Sequence, residues 1–189
     1  YQEISPALVV IMLNEEVALP ELKDISAYLS VKMSSRNAKD QFALIEISAA
    51  MDRFVVLPNK GENSYIIMLD DILRYCLDDI FNIFSYDTIT AHMIKITRDG
   101  ELDFDSDLSK SFIDKLSESV KDRQSGVPVR FVYDKSIEAD TLSFLLNRMK
   151  IDEKESIIPG GRYHNRRDYM SFPSLGRTDL LYSKIKPLP

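Results

Sequence analysis

The chain has 189 residues, 44% hydrophobic and 29% charged, with a formal net charge of −6. That length and balance suit one globular domain with a buried core, while the negative charge argues against a general nucleic-acid binder, because phosphate backbones favour basic surfaces. No apolar run approaches the roughly 20 residues that span a bilayer as a helix, and a lone cysteine, Cys76, excludes an internal disulfide framework and fits a reducing compartment.

Residues 4–13 are expected to form a short apolar helix; the opening lacks the basic region and cleavage site of a signal peptide. After a loop with Pro20, Ala27, Leu29, Val31 and Met33 alternate with Ser26, Tyr28, Ser30 and Lys32, which is the period of a strand. FALIEIS and RFVVLP read as two more strands, and the spacing suggests an antiparallel meander. YIIML, residues 65–69, reads as a short strand or the approach to a helix. DDILRYCLDDIF is helical, with one stripe on Leu69, Leu73, Leu77 and Ile80 and another on Ile72, Tyr75, Cys76 and Asp79. Asp70 or Asp71 sits at its start, where a carboxylate meets the helix dipole.

Residues 85–99 form a long strand. An amphipathic helix on Leu108, Phe112, Leu116 and Val120 follows, with Gly126 as its stop. VPVRFVYD is a strand. The next helix takes Ser136 as N-cap and turns Leu142, Leu145, Leu146 and Met149 inward. Residues 156–158 pair as a last short strand. Strands come first and later interleave with helices, which favours α+β: a mixed, largely antiparallel sheet with helices packed on it.

Motifs for chemistry are sparse. His92 lies within a strand and reads as a half-exposed structural residue. There is no His/Cys cluster, so zinc is not expected. Asp70/Asp71 and Asp78/Asp79 are paired, but adjacent helical residues point about 100° apart, so neither doublet converges on one ion unaided. DGELDFDSD, residues 99–107, lacks the order of a calcium loop and reads as a turn. Neither a phosphate-binding glycine loop nor a nucleophile elbow is present. No catalytic residue, metal ligand or cofactor is assigned to this chain.

One stretch departs from the acidic background. IIPGGRYHNRRDYMSFPSLGR, residues 157–177, carries Arg162, Arg166, Arg167 and Arg177 against Asp168 alone. Gly160 and Gly161 permit close backbone approach. Asn165 and Asp168 resemble a capping box for a following helix, whose N-terminal N–H groups would then lie beside the arginines. That combination is a sensible phosphate site, with Arg162, His164, Arg166 and Arg167 as its candidates. The alternative is that the arginines pair with acidic residues of this chain or of a neighbouring domain.

The order of these pieces resembles the middle, or head, domain of bacterial polyphosphate kinases. ISPALVVIML, LPELKDISAYLSVKM, FALIEIS, RFVVLP, YIIMLDDILRYCLDDIF, IKITRDGELDFD, SGVPVRFVYD and the arginine stretch carry the resemblance over nearly the whole chain. The arginine stretch is the most specific of them. KSIEAD departs from the pattern, where a more proline-containing turn is expected. The resemblance implies a parent enzyme that moves the terminal phosphate of ATP reversibly onto polyphosphate through a phosphohistidine, with Mg²⁺ and ATP as its cofactors. The phosphohistidine and metal ligands belong to other domains of that family, and neither His92 nor His164 matches them. This chain would then be a non-catalytic head domain, residues 1–182, that helps build a homodimer and frame the active-site tunnel. Residues 183–189 would be a linker. Its partners would be the enzyme's N- and C-terminal domains, with polyphosphate as a further ligand and no nucleic acid. The parent is expected in the cytoplasm, with membrane association as an option. The start at Tyr1 and the IKPLP ending suggest a piece of a longer protein.

Overall fold

The computed structural model describes residues 8–14, 17–24, 26–48, 51–98, 128–151, 156–164 and 166–182. The expected helix on Leu108, Phe112, Leu116 and Val120 with its Gly126 stop, the acidic turn at 99–107 and Asn165 all lie outside the described residues. In order, the elements are β1 (Val9–Leu13), β2 (Ala27–Ser35), β3 (Ala38–Ile47), β4 (Phe54–Lys60), β5 (Asn63–Met68), α1 (Leu69–Tyr75), α2 (Leu77–Ile80), β6 (Thr88–Arg98), β7 (Pro128–Asp134), α3 (Ala139–Met149) and β8 (Ser156–Gly160). Two 3₁₀ helices follow, Arg166–Ser171 and Thr178–Leu180.

Six strands form one sheet in the order β1-β3-β2-β6-β7-β8, and β4 and β5 form a separate hairpin. Every neighbouring pair is antiparallel except β7 and β8, which run parallel with Phe131 opposite Ile157. A parallel pair needs a crossover, and α3 lies in it. The α+β expectation of a mixed, largely antiparallel sheet with packed helices holds.

Both faces of the sheet are covered. On one, Leu29, Val31, Ala43, Ile45 and Met93 pack against Leu69, Leu73, Leu77 and Phe81. On the other, Tyr28, Leu44, Ile94, Ile96 and Phe131 meet Leu145 and Met149 of α3. Each such large side chain contributes about 1.5–3 kcal/mol by leaving water. Phe42 stacks on Phe144 with centroids 4.1 Å apart, fastening α3 to β3.

The period of β2 is real, but its polar set does not face water. Tyr28, Ser30 and Lys32 are buried along with Leu29 and Val31. Burying a polar group without a partner is costly; among the described residues Ser30 Oγ has none, while its neighbours are paired. Ser26 Oγ donates to Glu46 at 2.8 Å, and the Lys23 backbone N–H donates to the Tyr28 hydroxyl at 2.7 Å. Lys32 Nζ meets Glu138, Asp140 and Asp40. Burial pulls its pKa down, but bonds from Asp140, Glu138 and Asp40 outweigh that and leave it raised.

Four local expectations are corrected. Val9–Leu13 is a strand, not the end of a helix, because it completes the open edge of β3; a short apolar run carries no periodicity that separates the two. The third strand does not continue the meander: β4 leaves the sheet and pairs with β5. The helix at 69–80 breaks at Cys76 into α1 and α2; Leu69, Asp70, Leu73, Cys76 and Leu77 are buried, while Tyr75 of the second stripe is 88% exposed. Ser136 does not cap α3; its N–H and hydroxyl both donate to Asp134 Oδ1, at 3.0 and 2.7 Å, which makes a turn before the helix begins at Ala139.

Candidate functional site

The arginine stretch begins within β8, and beyond it Arg162 and Tyr163 run back against α1. The two carboxylates that open α1 diverge, as adjacent helical positions must. Asp71 turns outward. Its Oδ1 accepts from Arg162 Nη2 at 2.7 Å and from Arg74 Nη1 at 3.1 Å, and its Oδ2 accepts from the Tyr163 hydroxyl at 2.6 Å. Arg74 also donates to the Ala91 carbonyl on β6 and to the Arg162 carbonyl. Burial alone would raise the Asp71 pKa, but Tyr163, Arg162 and Arg74 hold it below the usual range. The same bond to Asp71 pushes the Tyr163 phenol up.

Asp70 turns inward and is fully buried. Its Oδ2 accepts from Arg53 Nη2 at 2.6 Å, and Arg53 Nη1 lies 3.0 Å from Asp168 in the 3₁₀ helix. Burial pushes the Asp70 pKa up against the pull of Arg53. The Arg53 carbonyl accepts the Leu69 N–H at 2.8 Å, so one residue ties the hairpin to α1 by backbone and side chain together. Beside it, Phe54 meets Tyr169 and Phe172 at 5.7 and 5.1 Å.

The sequence candidates separate. Arg162 lies on Asp71 with about half its side chain exposed, 54%. His164 is buried, and its ring fills the space a side chain at position 160 would need: a Cβ on Gly160 would lie 2.3 Å from His164 Cε1. The ring bonds the Met93 backbone, and burial, the largest influence, pushes its pKa below the usual histidine value. Arg166 and Arg167 begin a 3₁₀ helix of six residues rather than an α-helix, and their side chains lie outside the described residues. Arg177 pairs locally with Asp179 at 2.7 Å. His92 stands on β6 opposite Ser30, half-buried, with its pKa lowered chiefly by burial.

Sequence reasoning missed Arg53, Arg74 and Tyr163 as partners of the helix-start carboxylates. The divergence of Asp70 and Asp71 was a signal that two separate partners were needed. Among the described residues, no group of three or more His, Cys, Asp or Glu is placed to hold a metal ion, and no helix is long and apolar enough to cross a membrane.

Residues 1–172 match the family model for the polyphosphate kinase middle domain. The chain belongs to that family. It is 41% identical over 194 residues to the polyphosphate kinase of Vibrio cholerae, and 40% identical over 193 residues to that of Escherichia coli K12. In both cases the whole chain is covered but only 27% of the relative. The crystal structure of polyphosphate kinase from Porphyromonas gingivalis superposes with a TM-score of 0.74 at 25% identity, over all of this chain and 26% of that one. The chain thus spans about a quarter of the length of the proteins it matches.

Proposed function

We propose that this chain serves a polyphosphate kinase as a non-catalytic head domain, building the dimer and framing the active-site tunnel. The whole enzyme would transfer the terminal phosphate of ATP reversibly to polyphosphate through a phosphohistidine outside this chain, using Mg²⁺. Residues 1–182 would be the domain and 183–189 the lead to the next one. The observation that carries this reading is family membership over residues 1–172. The geometry supports it: Arg53, Asp70, Asp71 and Arg162 are spent on one another, which stiffens a scaffold. The test compares the full-length enzyme with a version from which these residues are deleted. Loss of the dimer in sedimentation, with loss of long-chain synthesis, is expected. A deletion that stays dimeric and active would overturn the reading.

A second reading makes Arg162, His164, Arg166 and Arg167 a polyphosphate contact. The half-exposed edge of the Arg162 guanidinium favours it. Titration with long-chain polyphosphate at low and moderate salt, alongside Arg166→Ala/Arg167→Ala, decides it. Saturable, salt-sensitive binding lost in the double variant supports an anion contact. Equal binding by both proteins, or none, removes it.

A further inference from the structure

The described residues of segment 162–172 are fastened at three places. Arg162 and Tyr163 bond Asp71. His164 fills the notch at Gly160. Asp168, Tyr169 and Phe172 hold Arg53 and Phe54. Of these groups, only the imidazole ordinarily changes charge near neutral pH. We propose that the segment is an acid-released strap: protonation of His164 expels its ring from the Gly160 notch and frees residues 162–172 from α1 and the β4–β5 hairpin, while the six-stranded sheet stays folded.

The ring is held close against the backbone. His164 is 8% exposed, and a Cβ at Gly160 would lie 2.3 Å from its Cε1 and 3.1 Å from Val132 Cγ1. Its Nε2 is buried and has no hydrogen-bond partner among the described residues. A proton added there would be a buried, unpaired N–H on a cation, which is costly. The surrounding charges do not cancel that cost. The Met93 backbone on β6, Asp134 on β7 and Asp70 on α1 favour the cation, Arg53 just before β4 opposes it, and burial outweighs them all. Lys95 on β6 donates to the Asp24 and Ser26 carbonyls and is itself disfavoured as a cation, chiefly by burial, against the pull of Asp24 and Asp168.

The sign follows from linkage. The closed strap holds a histidine of depressed pKa, and the released strap holds one near 6.5. Closure is therefore fully supported above about pH 6.5 and weakens as pH falls toward the closed-state pKa, by up to about tenfold per pH unit. Asp71 has a lowered pKa, so its clasp stays charged through this window.

The chain has two histidines, so an imidazole NMR titration yields two curves, assigned with His92→Gln. His164 is expected to titrate below 6.5. Amide exchange across 162–172, corrected for its intrinsic pH dependence, should rise up to about tenfold per unit between pH 6.5 and 5, with β2, β3 and β6 still protected. His164→Gln should remove that dependence, and Gly160→Ala should raise exchange at every pH. If His164→Gln does not fold, the unaltered chain and Gly160→Ala still decide. Exchange that is flat with pH, that rises equally in strap and sheet, or that persists in His164→Gln overturns the proposal.

Discussion

Arg53 and Asp70 form an ion pair at 2.6 Å with both side chains inside the protein, 6% and 0% exposed. Removing one partner of such a pair strands the other. Arg53→Met is expected to cost about 3 kcal/mol, read as a shift in the urea midpoint. The loss should shrink in acid, because a carboxyl whose folded pKa is raised gains stability as it protonates. Arg53→Met/Asp70→Leu should recover much of the loss. A double variant no better than the single one would show that the pair's charges are not what matters.

The two neighbouring glycines should answer differently to the same methyl group. At Gly160 an added Cβ meets His164 Cε1 at 2.3 Å, whereas nothing lies within 4 Å at Gly161. Gly160→Ala is expected to lose about 1–3 kcal/mol by overpacking, and Gly161→Ala to stay within about 0.5 kcal/mol. Thermal unfolding of both settles it. Equal shifts would remove the notch from the account.

Asp71 should shape the acid limb of stability. Its folded pKa lies below its unfolded value, so its contribution is present above about pH 4 and is lost as pH falls through the folded value. Asp71→Asn is expected to lose about 1 kcal/mol at pH 7, since Arg162 is half exposed, and to unfold in acid along a flatter curve. Urea titrations at pH 7 and pH 3 make the comparison. A variant with an unchanged pH profile would remove Asp71 as the clasp.

Lys150 ends α3 in a left-handed conformation, with φ at 55°. A side chain there is crowded against the carbonyl that follows, and glycine is not. Lys150→Gly is expected to stabilise the protein by about 0.5–1 kcal/mol, seen as a raised thermal midpoint. A lowered midpoint would mean that the lysine side chain holds the helix end more firmly than its backbone strains it.

The sequence was most legible where one physical signal acted alone. The alternation at Ala27, Leu29, Val31 and Met33 marked β2, and the inward set of Leu145 and Met149 marked α3. It was least legible where the partner lies far along the chain. Nothing local tells Val9–Leu13 that β3 has an open edge, or tells β4 to leave the sheet for β5. The site was half visible. The cluster of arginines stood out against an acidic chain, but what Arg162 bonds was not readable, because Asp71 is 91 residues away. His164 looked like a surface contact among arginines; only the missing Cβ of Gly160, two strands from Met93, makes room for it inside.

The pairing of β2 with β6 sets Ser34 opposite Thr88, with the hairpin and both short helices lying between them in the chain. The middle of the sheet therefore cannot form until that long loop has closed, and closing it costs chain entropy before the strand contacts repay it. The refolding barrier belongs at this seam. Substitutions at Leu29 or Met93, which face each other across it, should slow refolding, whereas those in the β4–β5 hairpin should chiefly hasten unfolding.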